Sequence, residues 1–119
     1  MYRELYTGYY KHFKGVNNDG YEMVYYVHDI CEDTETGEIK VFYQAMYGDM
    51  KRYVREISMF LSLTDTKKYP RATQKYRFEK MNKKEIKGWK QRNKEFFKEE
   101  RKQRKRLQRK NDLITLMNI

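Results

Sequence analysis

A mainly β fold with a C-terminal helix (α+β) is predicted for this chain by three observations. The first is a period of two between Glu38 and Tyr47: Ile39, Val41, Tyr43, Ala45 and Tyr47 form one apolar row, and Lys40 and Gln44 fall between them. The second is an aromatic content of 16%, with 12 tyrosines, which suits half-buried sheet whose rings pack while their hydroxyls reach water or a partner. The third is a change of character at Asn82. Beyond it there is no proline, Gly88 is the sole glycine, and good helix formers (Lys, Glu, Arg, Gln) dominate. The expected architecture is a small SH3-like β barrel over residues 1–81 followed by a long basic α-helix over 82–119.

The elements follow in order. Tyr9–Phe13 reads as a first short strand, and Gly15 with Asn17-Asn18-Asp19-Gly20 reads as a turn. Tyr21–Ile30 is a long strand with both faces partly apolar, as in a small curled sheet. Asp33-Thr34-Glu35-Thr36-Gly37 is a hairpin loop, with glycine where a positive φ is needed. Glu38–Tyr47 returns as its partner, Gly48-Asp49 turns, and Lys51–Arg55 forms a fourth strand. Ile57–Leu61 suits a single helical turn, Asp65–Pro70 a loop, and Gln74–Phe78 a last strand. Asn82 is placed to cap the tail helix, with Glu85 three residues later as in a capping box.

Charge divides the chain more sharply than composition does. Residues 1–81 hold 13 Lys+Arg against 12 Asp+Glu, whereas residues 82–119 hold 14 against 5, so +9 of the formal +10 lies in the last third. Ile86, Trp89 and Phe96/Phe97 give the tail an apolar stripe that is expected to pack on the β domain, although Asn93 interrupts it. Lys98–Arg106 has no apolar residue and is expected to face solvent or a partner. Glu95 with Lys98, Glu99 with Lys102 and Glu100 with Arg104 are spaced to support the helix as ion pairs. Leu107 and Leu113-Ile114-Thr115-Leu116-Met117 offer a surface for closing back on the domain or for a second subunit.

Several function classes lose support. Cys31 is the one cysteine, so no intramolecular disulfide forms; no apolar run is long enough to span a bilayer, and Met1–Leu5 shows no secretory signal. A cytoplasmic protein of bacterial or phage origin, without membrane contact, is expected. His12 and His28 are the only histidines, and on a regular strand His28 and Cys31 would point to opposite faces, which argues against a nucleophile pair or a metal site. No zinc, serine-hydrolase or phosphate-loop motif occurs. Asp29, Glu32, Asp33 and Glu35 lack the spacing of a calcium loop and read as turn residues. No enzyme activity, cofactor or metal is expected.

Two sets of binding residues remain. The basic helix offers Lys90, Arg92, Lys94, Lys98, Arg101, Lys102, Arg104, Lys105, Arg106, Arg109 and Lys110, which wrap around more than one helix face and suit phosphate contacts on nucleic acid. In the β domain, Tyr43, Gln44, Tyr47, Arg52 and Arg55 lie on adjacent strands, where aromatic rings beside arginine can stack a base and hold a phosphate.

At these residues the chain resembles a known family. The blocks are Tyr10-Lys11-His12-Phe13-Lys14-Gly15, then Val41-Phe42-Tyr43-Gln44-Ala45-Met46-Tyr47-Gly48-Asp49, Tyr53-Val54-Arg55, Met59-Phe60-Leu61 and Lys75-Tyr76-Arg77-Phe78. In this order they resemble domain of unknown function 1653, from about Tyr9 to Met81. The resemblance implies a compact β-rich domain and brings no established activity, so no functional residue is carried over. Glu56 stands where the family usually has proline after the Val-Arg pair, and the basic tail lies outside the family domain.

The leading expectation is therefore a non-enzymatic binding protein that contacts nucleic acid through its basic helix. The alternatives are a pocket for a small anionic ligand such as a nucleotide, in a monomer or a homo-oligomer, and an adaptor or inhibitor that recognises an acidic protein.

Overall fold

The computed structural model describes residues 3–117. Two compact units divide the chain, Met1–Asn82 and Lys83–Ile119. The first carries five strands, β1 (Gly8–Val16), β2 (Glu22–Glu32), β3 (Ile39–Ala45), β4 (Arg52–Glu56) and β5 (Phe78–Lys80), with a one-turn helix α1 (Ile57–Phe60) after β4. The second carries α2 (Lys83–Arg92) and α3 (Lys94–Met117).

The strands form one antiparallel sheet in the order β4-β3-β2-β1-β5. The expected SH3-like closure is not made, because β4 and β5 remain opposite edges of this ladder. The sheet nevertheless curls strongly. Tyr43 on β3 and Phe78 on β5 are three strand spacings apart, about 14 Å in a flat sheet, yet their rings lie 5.7 Å apart. Phe60 fills the hollow of that curl. Its ring stacks on Phe78 at 4.3 Å and meets Tyr43 and Tyr10 edge-on at 5.2 and 5.7 Å. Tyr10, Tyr25, Val27, Val41, Tyr43, Ala45, Phe60 and Phe78 make the core, and the alternation read in β3 puts Val41, Tyr43 and Ala45 on that face as expected.

Local chemistry sets the connections. Asp33 Oδ1 accepts from the N–H groups of Glu35 and Thr36, and Gly37 takes a φ of 74°, as the hairpin requires. Glu56 sits at φ −57°, a value that proline would also adopt, and its carboxylate caps α1 by accepting from Ser58 N and Met59 N at 3.1 and 3.2 Å. The N-terminal segment is tied down by Arg3, whose guanidinium donates to Leu61 O and Phe78 O and lies 3.8 Å over the Tyr76 ring.

Three sequence expectations shift. The last strand begins at Phe78 rather than Gln74. Residues 74–76 are claimed by side-chain and bridge contacts: buried Thr64 donates Oγ1–H to Gln74 O, Gln74 Nε2 donates to Lys11 O and Tyr76 O, and Leu63 bridges Tyr76. In β2 a bulge lies between Val27 and Asp29, with Val27 opposite Tyr43 and Asp29 opposite Phe42. This extra residue changes the parity, so Cys31, opposite Lys40, falls on the same face as His28, which bonds Gln44. The tail is two helices rather than one. At Asn93 the N–H is shared between Trp89 O (3.1 Å) and Lys90 O (3.2 Å), and the side-chain amide also donates to Trp89 O at 2.8 Å. Buried Trp89 meets Phe97 edge-on at 5.0 Å within this unit.

No helix among the described residues is long and apolar enough to cross a membrane. Because Phe60 is fully buried among three aromatic rings, Phe60→Ala should lower the unfolding free energy by about 3–5 kcal/mol, read from the urea midpoint of the full chain.

Candidate binding surfaces

The pleat separates the five β-domain residues expected to form one ligand site. Tyr43 pairs with Tyr53 on the core face, and Arg55, opposite Val41, shares that face. Tyr47 joins them through a 2.6 Å hydroxyl–hydroxyl bond to Tyr25. Gln44 and Arg52 pair with each other on the opposite face. Gln44 also has local work there: its Nε2 donates to Met50 O at 3.0 Å and its Oε1 meets His28 Nε2 at 2.8 Å. Met50 is a non-glycine residue at φ 53°, and the Gln44 bond helps to hold that turn.

The core face therefore keeps Tyr43, Tyr47 and Arg55 and adds residues that local patterning did not single out. Arg55 Nε donates to Tyr43 Oη at 3.3 Å. Tyr25 is the hub: its ring lies 5.6 Å from both Tyr43 and Tyr47 and 5.4 Å from Phe78. Burial, reinforced by the bond to Tyr47, pushes the Tyr25 hydroxyl pKa well up and keeps it protonated. His12, opposite Phe78 on β5, packs 5.0 Å from that ring and 6.3 Å from Tyr25. Its Nδ1 accepts from Lys14 N at 3.1 Å. Burial, followed by the charges of Lys14, Arg77 and Arg55, pulls its pKa down to about 4. The tyrosine face thus gathers cations around a neutral imidazole.

Beside this face lies a cleft of about 220 Å³, lined by Asn17, Asp19, Tyr21, Ala45, Tyr47, Gly48, Asp49, Lys51 and Tyr53. Tyr21 and Tyr47 stack across it with centroids 6.1 Å apart. Among the described residues no group of three or more His, Cys, Asp and Glu is placed to hold a metal ion.

In the helical unit, Lys90, Arg92, Lys94, Lys98, Arg101, Lys102, Lys105 and Arg106 are exposed. The side chains of Arg104, Arg109 and Lys110 lie outside the described residues. At 100° per residue, Lys94, Lys98, Arg101, Lys102 and Lys105 fall within one stripe about 100° wide, which is narrower than the wrap-around expected from the sequence. Of the anticipated ion pairs, Lys102 with Glu99 is made at 3.5 Å, so one member of the stripe is partly neutralised. Ile114 and Met117, from the second apolar cluster, are exposed.

The lowered pKa of His12 has a defined effect on folding. An imidazole that titrates near 6.5 in the unfolded chain and near 4 in the fold contributes stability that is full above pH 6.5 and is lost as pH falls towards 4. His12→Asn, which keeps an acceptor for Lys14 N–H, should flatten the stability profile over that window. Urea titrations at several pH values check this, and an unchanged slope would contradict it.

No curated protein and no solved structure matches the chain. A family model does match. It spans residues 8–80, from the first residue of β1 to the last of β5, and so takes in the whole sheet and α1 while leaving both C-terminal helices outside. The chain belongs to the family described as "Protein of unknown function (DUF1653)".

Proposed function

We propose that this protein is a non-enzymatic binding protein that contacts nucleic acid through its basic C-terminal helices. The observation carrying this reading is the stripe of Lys94, Lys98, Arg101, Lys102 and Lys105 on α3, all exposed, within a region that holds +9 of the chain's +10. Along α3 the stripe extends about 16 Å. Charges in this arrangement neutralise backbone phosphates and release counterions, which gives affinity with little base readout. Arg106, beside the stripe, and Lys90 and Arg92 on α2 extend the positive surface. The single, exposed Cys31 suits a reducing cytoplasm, where nucleic acid is at hand.

The β domain serves in this reading as a rigid mount, and the helices supply the electrostatic contact. Binding to DNA and RNA should weaken steeply with salt, and each phosphate contact should contribute about 0.9 to the log–log slope on duplex DNA. Replacing the five stripe residues with glutamine should reduce that slope by up to about 4.5 and weaken binding similarly for unrelated sequences. Fluorescence anisotropy with labelled oligonucleotides at several salt concentrations measures both quantities. Unchanged affinity and slope in the five-residue variant would exclude the stripe as the contact surface.

A further inference from the structure

The β domain contains a second concentration of positive charge, made in a different way. Arg55 comes from β4, Arg77 from the residue before β5, and His12 from β1, so three separate segments converge on the tyrosine face. Both arginines and the histidine are half-buried. Among the described residues, neither arginine is paired with a carboxylate. Arg55 spends its Nε on Tyr43 Oη, while the buried Nε of Arg77 has no hydrogen-bond partner. Lys14 is also close, but its ammonium is engaged 5.1 Å over the Tyr69 ring.

This arrangement is costly for a fold left to itself. Like charges are brought together, partly removed from water, and given no counter-ion, and one buried donor is left unused. A tetrahedral oxyanion would answer each point. Guanidinium groups present forked donors that match such oxygens, and a protonated imidazole adds a further charge-assisted bond. Tyr53, 40% exposed, lies 5.6 Å from Tyr43 and also lines the 220 Å³ cleft, as does Tyr47. An organic group attached to the oxyanion would therefore have aromatic walls beside it.

We propose that His12, Arg55 and Arg77 form a binding site for the phosphate of a small phosphate monoester, whose organic part occupies the cleft lined by Tyr47 and Tyr53. This site belongs to the β domain and is independent of nucleic-acid contact by α3.

The charged and titratable groups that act on His12 are Lys14 of β1, Arg55 of β4, Arg77 before β5 and Tyr25 of β2. None is a carboxylate, so a bound anion would be the dominant influence favouring the imidazolium. Proton NMR of the full chain resolves this, because His12 and His28 are the only two histidines. The probes are sulfate, which does not titrate in the working range, inorganic phosphate, and adenosine monophosphate.

Saturating sulfate should raise the His12 midpoint from about 4 by at least one unit, a tenfold preference for the protonated form, and leave His28 in place. Arg55→Gln and Arg77→Gln should each weaken phosphate binding about tenfold, and Arg55→Lys and Arg77→Lys should do so less. Adenosine monophosphate should bind more tightly than phosphate, and Tyr53→Ala should remove that advantage. Glutamine replacement of the α3 stripe should leave the His12 response unchanged, which separates this site from the nucleic-acid surface. A His12 midpoint unmoved by all three anions would overturn the site. So would equal phosphate affinity in the wild type and in folded arginine variants, lysine forms included. Nucleotide binding no tighter than phosphate would overturn the monoester assignment.

Discussion

Burying a tyrosine ring favours folding only when its hydroxyl finds a partner, and the β domain is arranged around that condition. Tyr10 Oη meets the backbone of Tyr6, Tyr25 meets Tyr47, and Tyr43 meets Arg55. The phenyl rings of Phe60 and Phe78 carry no such demand and occupy the middle of the core. The polar tips of the tyrosines are thereby gathered towards one side of the apolar cluster. Core and candidate site are consequently one continuous structure: Tyr43 packs against Phe60 through its ring and accepts from an arginine through its oxygen.

The two units handle positive charge in opposite ways. In α3 the cations are spread along a solvated stripe, where water and salt screen them and each is separately cheap to maintain. On the tyrosine face a few cations are half-withdrawn from water beside an imidazole that stays neutral at physiological pH. The first arrangement suits a long polyanion met at many points. The second suits a compact anion met by converging donors. The family match covers the second arrangement and excludes the first, so the tail is an addition to a domain that is complete as a sheet without it.

Much of the sheet was legible in the chain. The alternation of β3, the glycine at Gly37 and the helical turn before Phe60 all follow from local rules. The same alternation already contained the reason that Tyr43 and Gln44 separate, since neighbours on a strand face opposite ways; Arg52 and Arg55, three apart, separate for the same reason. What no local rule supplies is the pairing of β1 with β5. That contact brings Phe78 and Arg77 to His12 across more than sixty residues, and it made the histidine unreadable as part of a site. The start of β5 was hidden for a related reason: Thr64 and Gln74, polar residues without a strand signal, hold the preceding segment by side-chain bonds.

The bulge in β2 also bears on how this chain can change length. Val27 faces Tyr43 and Asp29 faces Phe42, so the ladder on either side of His28 reads as if that residue were not there. A chain lacking His28 would keep Ile30 opposite Val41 and Cys31 opposite Lys40 without turning either side chain over. Loss of a residue from the regular stretch Tyr25–Val27 would instead invert the rest of the strand. Position 28 is thus the natural place in β2 for homologous chains to differ by one codon.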